Sequence, residues 1–181
     1  IGCGRIGTAV SRRAQGFEMR VLAFDPYPRA SAREAGVEFI SLEELLEQSD
    51  FVSLNAAAMA ENRGIIGEAE LRRMKESAYL INTARGSLLD EAAMVRALSE
   101  GWIAGAALDC YVEEPLPAEH PLRSAPNVLL CPHMAPCAWG NAREMNRGVA
   151  QTILDLKVGK RPELVVNPEV FESPAVRTSV N

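Results

Sequence analysis

Three glycines within the first seven residues constrain the fold of this chain more than any other feature of its sequence. Gly2, Gly4 and Gly7 have the spacing G-x-G-x-x-G. In a βαβ unit this spacing allows a tight turn after a strand, a close approach of the backbone to a pyrophosphate, and close packing of helix against strand. Taken alone, the three glycines fit a purely structural turn equally well.

Asp25 favours the dinucleotide interpretation of these glycines. It ends a predicted strand and follows Gly7 by 18 residues, which is near the spacing of the acid that binds the adenosine ribose. A carboxylate at this point accepts hydrogen bonds from ribose hydroxyls and repels a 2′-phosphate, so it predicts NAD rather than NADP. A solvated aspartate in the turn before Pro26 is the alternative interpretation.

The rest of the sequence alternates short apolar segments with amphipathic ones. This alternation, with near-continuous apolar strands, predicts an α/β fold with a doubly wound parallel sheet covered by helices on both faces. The predicted strands are 20–24, 37–40, 51–54, 79–82, 103–108 and 128–131. Helices are predicted to start near Arg5, after Ser41 and after Asp90, to include 71–75, and to span 142–156. Because Ile1 alone precedes Gly2, we expect the first strand to be largely missing and the chain to be the C-terminal part of a longer polypeptide.

Composition and charge narrow the class of protein. The formal net charge of −5 argues against a partner with a phosphate backbone, so no nucleic acid is expected to bind directly. The four cysteines form no C-x-x-C pair and there are two histidines, so no metal site is expected. The thiols are interpreted as reduced and the compartment as cytoplasmic. No apolar run is long enough to predict a membrane segment.

Three separated polar residues indicate the chemistry. Arg85 follows an apolar strand in Asn-Thr-Ala-Arg-Gly, Glu114 lies in Glu-Glu-Pro, and His133 follows Cys-Pro. A guanidinium can bind a carboxylate and polarise a carbonyl, a histidine can transfer a proton near neutral pH, and a glutamate can orient that histidine. Together with the dinucleotide fingerprint at the start of the chain, the three predict a hydride-transfer site for a 2-keto or 2-hydroxy acid. As alternatives, Arg85 fits a surface ion pair, Glu114 a solvated loop acid and His133 a structural residue at a strand end.

Several motifs together resemble the NAD-binding domain of the D-isomer-specific 2-hydroxyacid dehydrogenase family. The family includes glyoxylate and hydroxypyruvate reductases, phosphoglycerate dehydrogenases, D-lactate dehydrogenases and the C-terminal-binding-protein corepressors. The matching segments, which cover most of residues 1–135, are GCGRIG at 2–7, Asp-Pro-Tyr at 25–27, INTARGSLLDE at 81–91, GWIAGAALDCYVEEPLP at 101–117 and NVLLCPHMA at 127–135.

The resemblance implies a role for each matched residue. Arg85 would bind the substrate carboxylate and carbonyl oxygen, His133 would exchange a proton with that oxygen, and Glu114 would orient His133. The NAD site would comprise Gly2, Gly4, Arg5, Ile6, Gly7, Asp25, Ala56, Thr83, Ala84 and Asp109, with Asp109 and Thr83 at the nicotinamide end. Ala56 lies where the chain departs from the family pattern, since Asn55 replaces the usual histidine after Val-Ser-Leu.

The resemblance also implies a division of the chain. Residues 1–145 would form the Rossmann-like NAD-binding domain, truncated at its N-terminus, and residues 146–181 a helix and tail that return toward a missing substrate domain. The full-length protein would be a homodimer acting on a small 2-keto or 2-hydroxy acid, and this chain alone would bind NAD without measurable turnover.

Three functional classes stay open at this point. The first is an NAD-dependent oxidoreductase that acts on the CH–OH group of D-2-hydroxy acids. The second is an NAD(H)-sensing protein similar to the corepressors, which keep the same three catalytic-type residues. The third is an inactive fragment. Sequence alone does not define the substrate or the physiological direction.

Overall fold

All strands in the described part of the chain pair in parallel. The structure is a computed structural model and describes residues 1–162 and 165–173. A two-stranded sheet pairs β1 with β2, and a four-stranded sheet has the order β3-β4-β5-β6. The strand bounds are β1 Leu22–Ala23, β2 Glu38–Phe39, β3 Phe51–Leu54, β4 Tyr79–Asn82, β5 Gly105–Leu108 and β6 Val128–Leu130. Each strand lies within a predicted one, and β1 and β2 are the most shortened.

The first two residues join the two sheets. The Gly2 N–H donates to the Phe24 carbonyl just after β1 (2.9 Å), and the Asn55 N–H just after β3 donates to the Ile1 carbonyl (2.8 Å). The Ile1 nitrogen donates to the Ser53 carbonyl inside β3 (2.8 Å). Ile1 and Gly2 therefore hold the central position in a doubly wound order that runs from β2 through β1 to β3 and outward to β6.

Two of the helices begin at a side-chain cap that the sequence supplies. The Ser41 side chain accepts the Glu44 N–H, and Glu44 accepts the Ser41 N–H, which confirms the predicted capping box. Asp90 caps its helix by accepting the Ala93 N–H, as predicted. The helix bounds in residues 1–134 are α1 Arg5–Gln15, α2 Ala30–Glu34, α3 Leu42–Gln48, α4 Glu68–Arg73 and α5 Glu91–Ser99.

The main core lies between the larger sheet and its flanking helices. The largest side chains less than 2% exposed come from β3, β4 and β5 and from the helices and loops around them, namely Leu46, Val52, Leu54, Ile66, Leu71, Leu80, Asn82, Leu88, Met94, Leu108 and Leu122. Their burial fixes α3, α4 and α5 against the sheet, because each buried aliphatic side chain contributes about 1.5–3 kcal/mol. A smaller cluster of Cys3, Ala23, Ala32 and Val37 anchors the glycine loop to β1 and α2.

The described residues divide into two compact units, 1–134 and a second that begins at Ala135. The second unit contains α6, Trp139–Lys157, which starts three residues before the predicted Ala142. Gly140 and Asn141 have low helix propensities and weaken the first turn. The free-energy cost of the two residues is too small to prevent the helix from starting there. Residues 163, 164 and 174–181 of the predicted C-terminal segment lie outside the described residues. Within the described part of the chain, no helix is long and apolar enough to cross a membrane.

Candidate active site and cofactor site

Two predicted catalytic residues and two predicted cofactor-binding residues follow the carboxyl ends of parallel strands. Ala56 comes after β3, Arg85 after β4, Asp109 after β5 and His133 after β6. Because β3 to β6 form one parallel sheet, these ends lie along the same edge. Ligands of open α/β sheets bind outside this edge, beside the point where the strand order reverses.

The glycine loop has the geometry that a pyrophosphate requires. Gly2 has φ of +80°, and a Cβ built on it would lie 2.6 Å from the Ala56 backbone. A Cβ on Gly7 would lie 2.3 Å from the Gly2 carbonyl oxygen, whereas a Cβ on Gly4 would meet open space. Gly2 and Gly7 therefore close the turn, and Gly4 leaves room for a ligand to approach the backbone.

The first turn of α1 is free to bind an anion. Gly4 is the N-cap residue, no side chain caps the helix, and the first turn contains no acidic residue. The backbone N–H groups of Arg5 and Ile6 belong to the set that an α-helix leaves without intrahelical partners. Thr8 holds the loop in shape, because its hydroxyl donates to the Gly4 carbonyl (2.8 Å). Thr8 was not identified from the sequence. The residues at the start of α1 fit a dinucleotide phosphate.

Asp25 is fastened to the glycine loop. Its Oδ2 accepts the Cys3 N–H (2.7 Å) and its Oδ1 accepts the Tyr27 N–H (2.8 Å). The carboxylate is half-buried at the end of β1, and each oxygen keeps acceptor capacity for a ribose hydroxyl. Asp25 is not a freely solvated turn residue, since its carboxylate links its own turn to the backbone of Cys3, 22 residues away.

Glu114 and His133 form the pair that the sequence predicted. Glu114 Oε2 lies 2.8 Å from His133 Nδ1, and Glu114 Oε1 accepts the Tyr111 N–H (2.9 Å). The side chains are 37% and 38% exposed, so the pair is accessible to a substrate. With Nδ1 bonded to Glu114, His133 Nε2 is the nitrogen left to exchange a proton with a ligand.

The environment of Glu114 keeps it charged. The hydrogen bond from His133 is the main cause that holds the pKa of Glu114 below its ordinary value, and the Tyr111 N–H acts in the same direction. The positive charge of Arg85 also lowers this pKa. Glu114 is therefore ionised at neutral pH and can stabilise a protonated His133.

His133 has a backbone conformation that few residues adopt. Its φ is +54°, in the left-handed region, which costs on the order of 1 kcal/mol for a residue other than glycine. The adjacent Met134 N–H donates to Asp109 Oδ1 (2.7 Å), and this bond together with Glu114 holds the segment in place. Asp109 is buried just after β5. Its hydrogen bond to the Met134 N–H attaches it to the backbone beside His133.

Asn82 shapes the loop that presents Arg85. Its side chain is fully buried, donates to the Arg85 carbonyl (3.0 Å) and accepts the Ala84 N–H (3.0 Å). Arg85 and Thr83 are exposed, and Ala84 is half-buried. Sequence reasoning assigned Asn82 no role, although a polar residue that ends a buried strand just before Thr-Ala-Arg-Gly was a usable signal.

The Arg85 loop and the Glu114 loop touch through their backbones. A Cβ on Gly86 would lie 1.9 Å from the Tyr111 carbonyl carbon and 2.4 Å from the Val112 nitrogen. The Tyr111 hydroxyl donates to the Leu108 and Cys131 carbonyls (3.0 and 2.8 Å), which ties the segment to the ends of β5 and β6. The structure thus brings the loops of Arg85, Glu114 and His133 together around Tyr111.

The thiol of Cys110 belongs to the core, as predicted. It is buried and donates to the Asn82 carbonyl (3.7 Å). Burial, with the negative charge of Glu114 next in effect, raises the pKa of Cys110 to about 11. A thiol with this pKa is protonated at neutral pH and does not act as a nucleophile.

Two cavities lie near these residues. The first, of about 460 Å³, borders Glu114 and His133 and is also lined by Tyr111, Leu116 and Cys131; Arg85 is not among its lining residues. The second, of about 200 Å³, lies beside the glycine loop and includes Arg5, Arg12 and Arg29. No ion pair to these three arginines occurs among the residues that the structure describes.

A doubly wound parallel sheet, an uncapped glycine-rich helix start and an acid at the end of the next strand define a dinucleotide-binding domain. The chain belongs to the D-isomer-specific 2-hydroxyacid dehydrogenase family, whose NAD-binding domain matches residues 1–135. These findings confirm the predicted family, the α/β fold and NAD as the cofactor of the domain.

Named relatives are similar over nearly the whole chain. A glyoxylate reductase from Korarchaeum cryptofilum is 47% identical over 173 residues, which are 95% of this chain and 52% of the relative. One from Thermococcus kodakarensis is 46% identical with the same coverage. The NAD-complexed D-isomer-specific 2-hydroxyacid dehydrogenase from Lactobacillus delbrueckii ssp. bulgaricus has a TM-score of 0.85 and 32% identity, over 92% of this chain and 54% of that one. The chain thus spans about half the length of these relatives.

Proposed function

We propose that this chain is the NAD-binding domain of a two-domain reductase that interconverts small 2-keto acids and D-2-hydroxy acids. The observation that carries the proposal is the 2.8 Å pairing of Glu114 with His133, on the sheet edge that also presents Arg85. The names of the glyoxylate reductases similar to this chain support a small substrate, so glyoxylate is the first candidate. They give the corepressor-like alternative no support.

Each residue of the site has a task in this reaction. Arg85 binds the substrate carboxylate and polarises the carbonyl oxygen through its guanidinium N–H groups. His133 donates the proton on Nε2 to that oxygen during reduction and accepts it during oxidation. Glu114 holds Nδ1, which orients the ring and stabilises its charged form. Negative charge builds on the oxygen as the carbonyl is reduced, so a fixed cation and an acid aimed at it lower the barrier.

The cofactor supplies the hydride when it is bound. The chain's own residues bind and orient it. The amides at the start of α1 hold the pyrophosphate, Asp25 accepts the ribose hydroxyls, and Ala56, Thr83, Ala84 and Asp109 border the remainder of the site. We assign these roles from the resemblance and from the placement of the residues along one sheet edge.

The full-length polypeptide is expected to oxidise NADH when a small 2-keto acid is supplied. The assay follows NADH absorbance with glyoxylate, hydroxypyruvate, pyruvate, 3-phosphohydroxypyruvate and a series of bulkier 2-keto acids. A strong rate with one small acid identifies the substrate class. Clear NADH binding without turnover of any of these acids would contradict the proposal and favour a cofactor-sensing protein.

NADH is expected to bind at least tenfold more tightly than NADPH, a difference of about 1.4 kcal/mol. The reason is the Asp25 carboxylate, which repels a 2′-phosphate. Arg29 opposes this preference because it lines the neighbouring cavity, so Arg29→Ala should widen the difference. Fluorescence titration of both cofactors measures it, and equal affinities for the unaltered protein would disprove the role of Asp25.

The proposal extends to assembly and location. We infer a cytoplasmic homodimer for the full-length protein, with residues 146–181 returning toward a substrate domain. The four cysteines are free thiols, which is consistent with a reducing compartment.

A further inference from the structure

One acidic side chain outside the predicted site reaches the loop that carries Glu114. Glu91 is the first residue of α5, and its Oε1 accepts the Val112 N–H (2.8 Å). The Glu91 side chain is only 13% exposed, although the bond to the Val112 amide lies on the exposed side of the loop. An acid in the first turn of a helix ordinarily faces solvent and interacts with the helix dipole, whereas this one is directed at a loop 21 residues away.

The Val112 amide is a critical point of that loop. The preceding residue, Tyr111, donates its N–H to Glu114, and Gly86 lies against the peptide that joins Tyr111 to Val112. Movement of this peptide would therefore displace the carboxylate of Glu114 and press on the loop of Arg85. Glu114 itself is too exposed to hold the loop by burial.

Glu91 is in turn rigidly placed. Helix α5 buries Ala93, Met94, Ala97 and Leu98, and the Asp90 N–H donates to the Ile66 carbonyl (2.9 Å). On its other side, Glu91 Oε2 lies 3.4 Å from His120 Nε2. His120 Nδ1 accepts the Leu122 N–H (3.3 Å), which leaves the proton of a neutral ring on Nε2, facing Glu91.

From these contacts we propose that Glu91 is a positioning residue for the Glu114–His133 pair. Its carboxylate holds the Val112 amide, and the peptide that joins Tyr111 to Val112 is thereby held in place. The Tyr111 N–H then positions the Glu114 carboxylate, which orients His133. The inference rests on the proposed function for its effect on turnover. Its structural part, the anchoring of the loop by Glu91, stands independently.

The test compares Glu91→Ala and Glu91→Gln in the full-length protein, with Glu113→Ala as the matched control. Glu113 is an exposed acid on the same loop and makes no hydrogen bond or ion pair with other described residues. The alanine variant should lower kcat about ten- to a hundredfold, since a displacement of about 1 Å can have this effect, while the KM for NADH stays unchanged. The glutamine variant should recover part of kcat, because its amide oxygen still accepts the Val112 N–H while its amide nitrogen, a donor, replaces the oxygen that faces His120 Nε2.

Hydrogen–deuterium exchange by mass spectrometry supplies the second measurement. A peptide that includes residues 110–114 should exchange faster in Glu91→Ala, at an intermediate rate in Glu91→Gln and at the unaltered rate in Glu113→Ala. Unchanged exchange in Glu91→Ala, or losses of kcat as large in Glu91→Gln or Glu113→Ala, would overturn the proposal. If the unaltered protein turns over no 2-keto acid, the proposed function fails, and the exchange comparison still decides whether Glu91 anchors the loop.

Discussion

Replacing His133 by alanine is expected to lower kcat by roughly 10²–10⁴-fold and to leave the affinity for NADH unchanged. The substitution removes the group that we propose exchanges a proton with the substrate oxygen, while the proposed cofactor-binding residues, the glycine loop and Asp25, lie on other segments. Steady-state kinetics with the best 2-keto acid and a separate NADH titration measure the two effects in the full-length protein.

A graded variant of the same pair strengthens this test. Glu114→Gln keeps an oxygen for His133 Nδ1 but removes the charge that stabilises a protonated ring, so its kcat should fall between those of the unaltered protein and His133→Ala. Turnover by His133→Ala near the unaltered rate would refute the assignment of His133. A parallel loss of NADH binding would point instead to collapse of the cofactor site.

Gly86→Ala is expected to destabilise the fold by about 3 kcal/mol and to impair turnover as well. Its new methyl group would lie within 2.5 Å of three backbone atoms of Tyr111 and Val112. Backbone atoms cannot move aside as a flexible side chain does, so either the Arg85 loop or the Glu114 loop must shift. Denaturant unfolding measures the stability, and kcat/KM measures the effect on the site.

Gly148→Ala is the matched control for this substitution. Gly148 lies inside α6 and a Cβ there meets nothing within 4 Å, so alanine should stabilise the helix by up to about 1 kcal/mol. If Gly86→Ala unfolds at the same denaturant concentration as the unaltered protein, the close backbone contact between the two loops does not exist in solution.

Local sequence patterns predicted much of this structure. The glycine spacing located the start of α1, and the box of Ser41 and Glu44 located the start of α3, because both signals lie within a few residues of the feature that they specify. The pairing of Glu114 with His133 followed from the resemblance, which associates residues that no local pattern connects.

The interactions that hold the site together could not be predicted in the same way. Glu91 bonds to a backbone group of another loop, and Asn82 bonds to the backbone of the loop that directly follows it. The sequence does not indicate which backbone group either side chain contacts. The left-handed backbone of His133 is likewise imposed by its neighbours rather than by its own preference. The early start of α6 was missed because Gly140 and Asn141 resemble a helix stop in isolation.

The two bonds accepted by Asp25 have a consequence for any redesign of coenzyme use. The carboxylate that we propose selects against a 2′-phosphate also accepts hydrogen bonds from the Cys3 and Tyr27 amides. A substitution that removes the Asp25 carboxylate to admit NADP would also remove these two hydrogen bonds. The turn that we propose binds the dinucleotide would then lose its attachment. Coenzyme selectivity and the stability of the coenzyme-binding turn thus depend on one side chain. A substitution at Arg29 can change the selectivity and leave both hydrogen bonds of Asp25 in place.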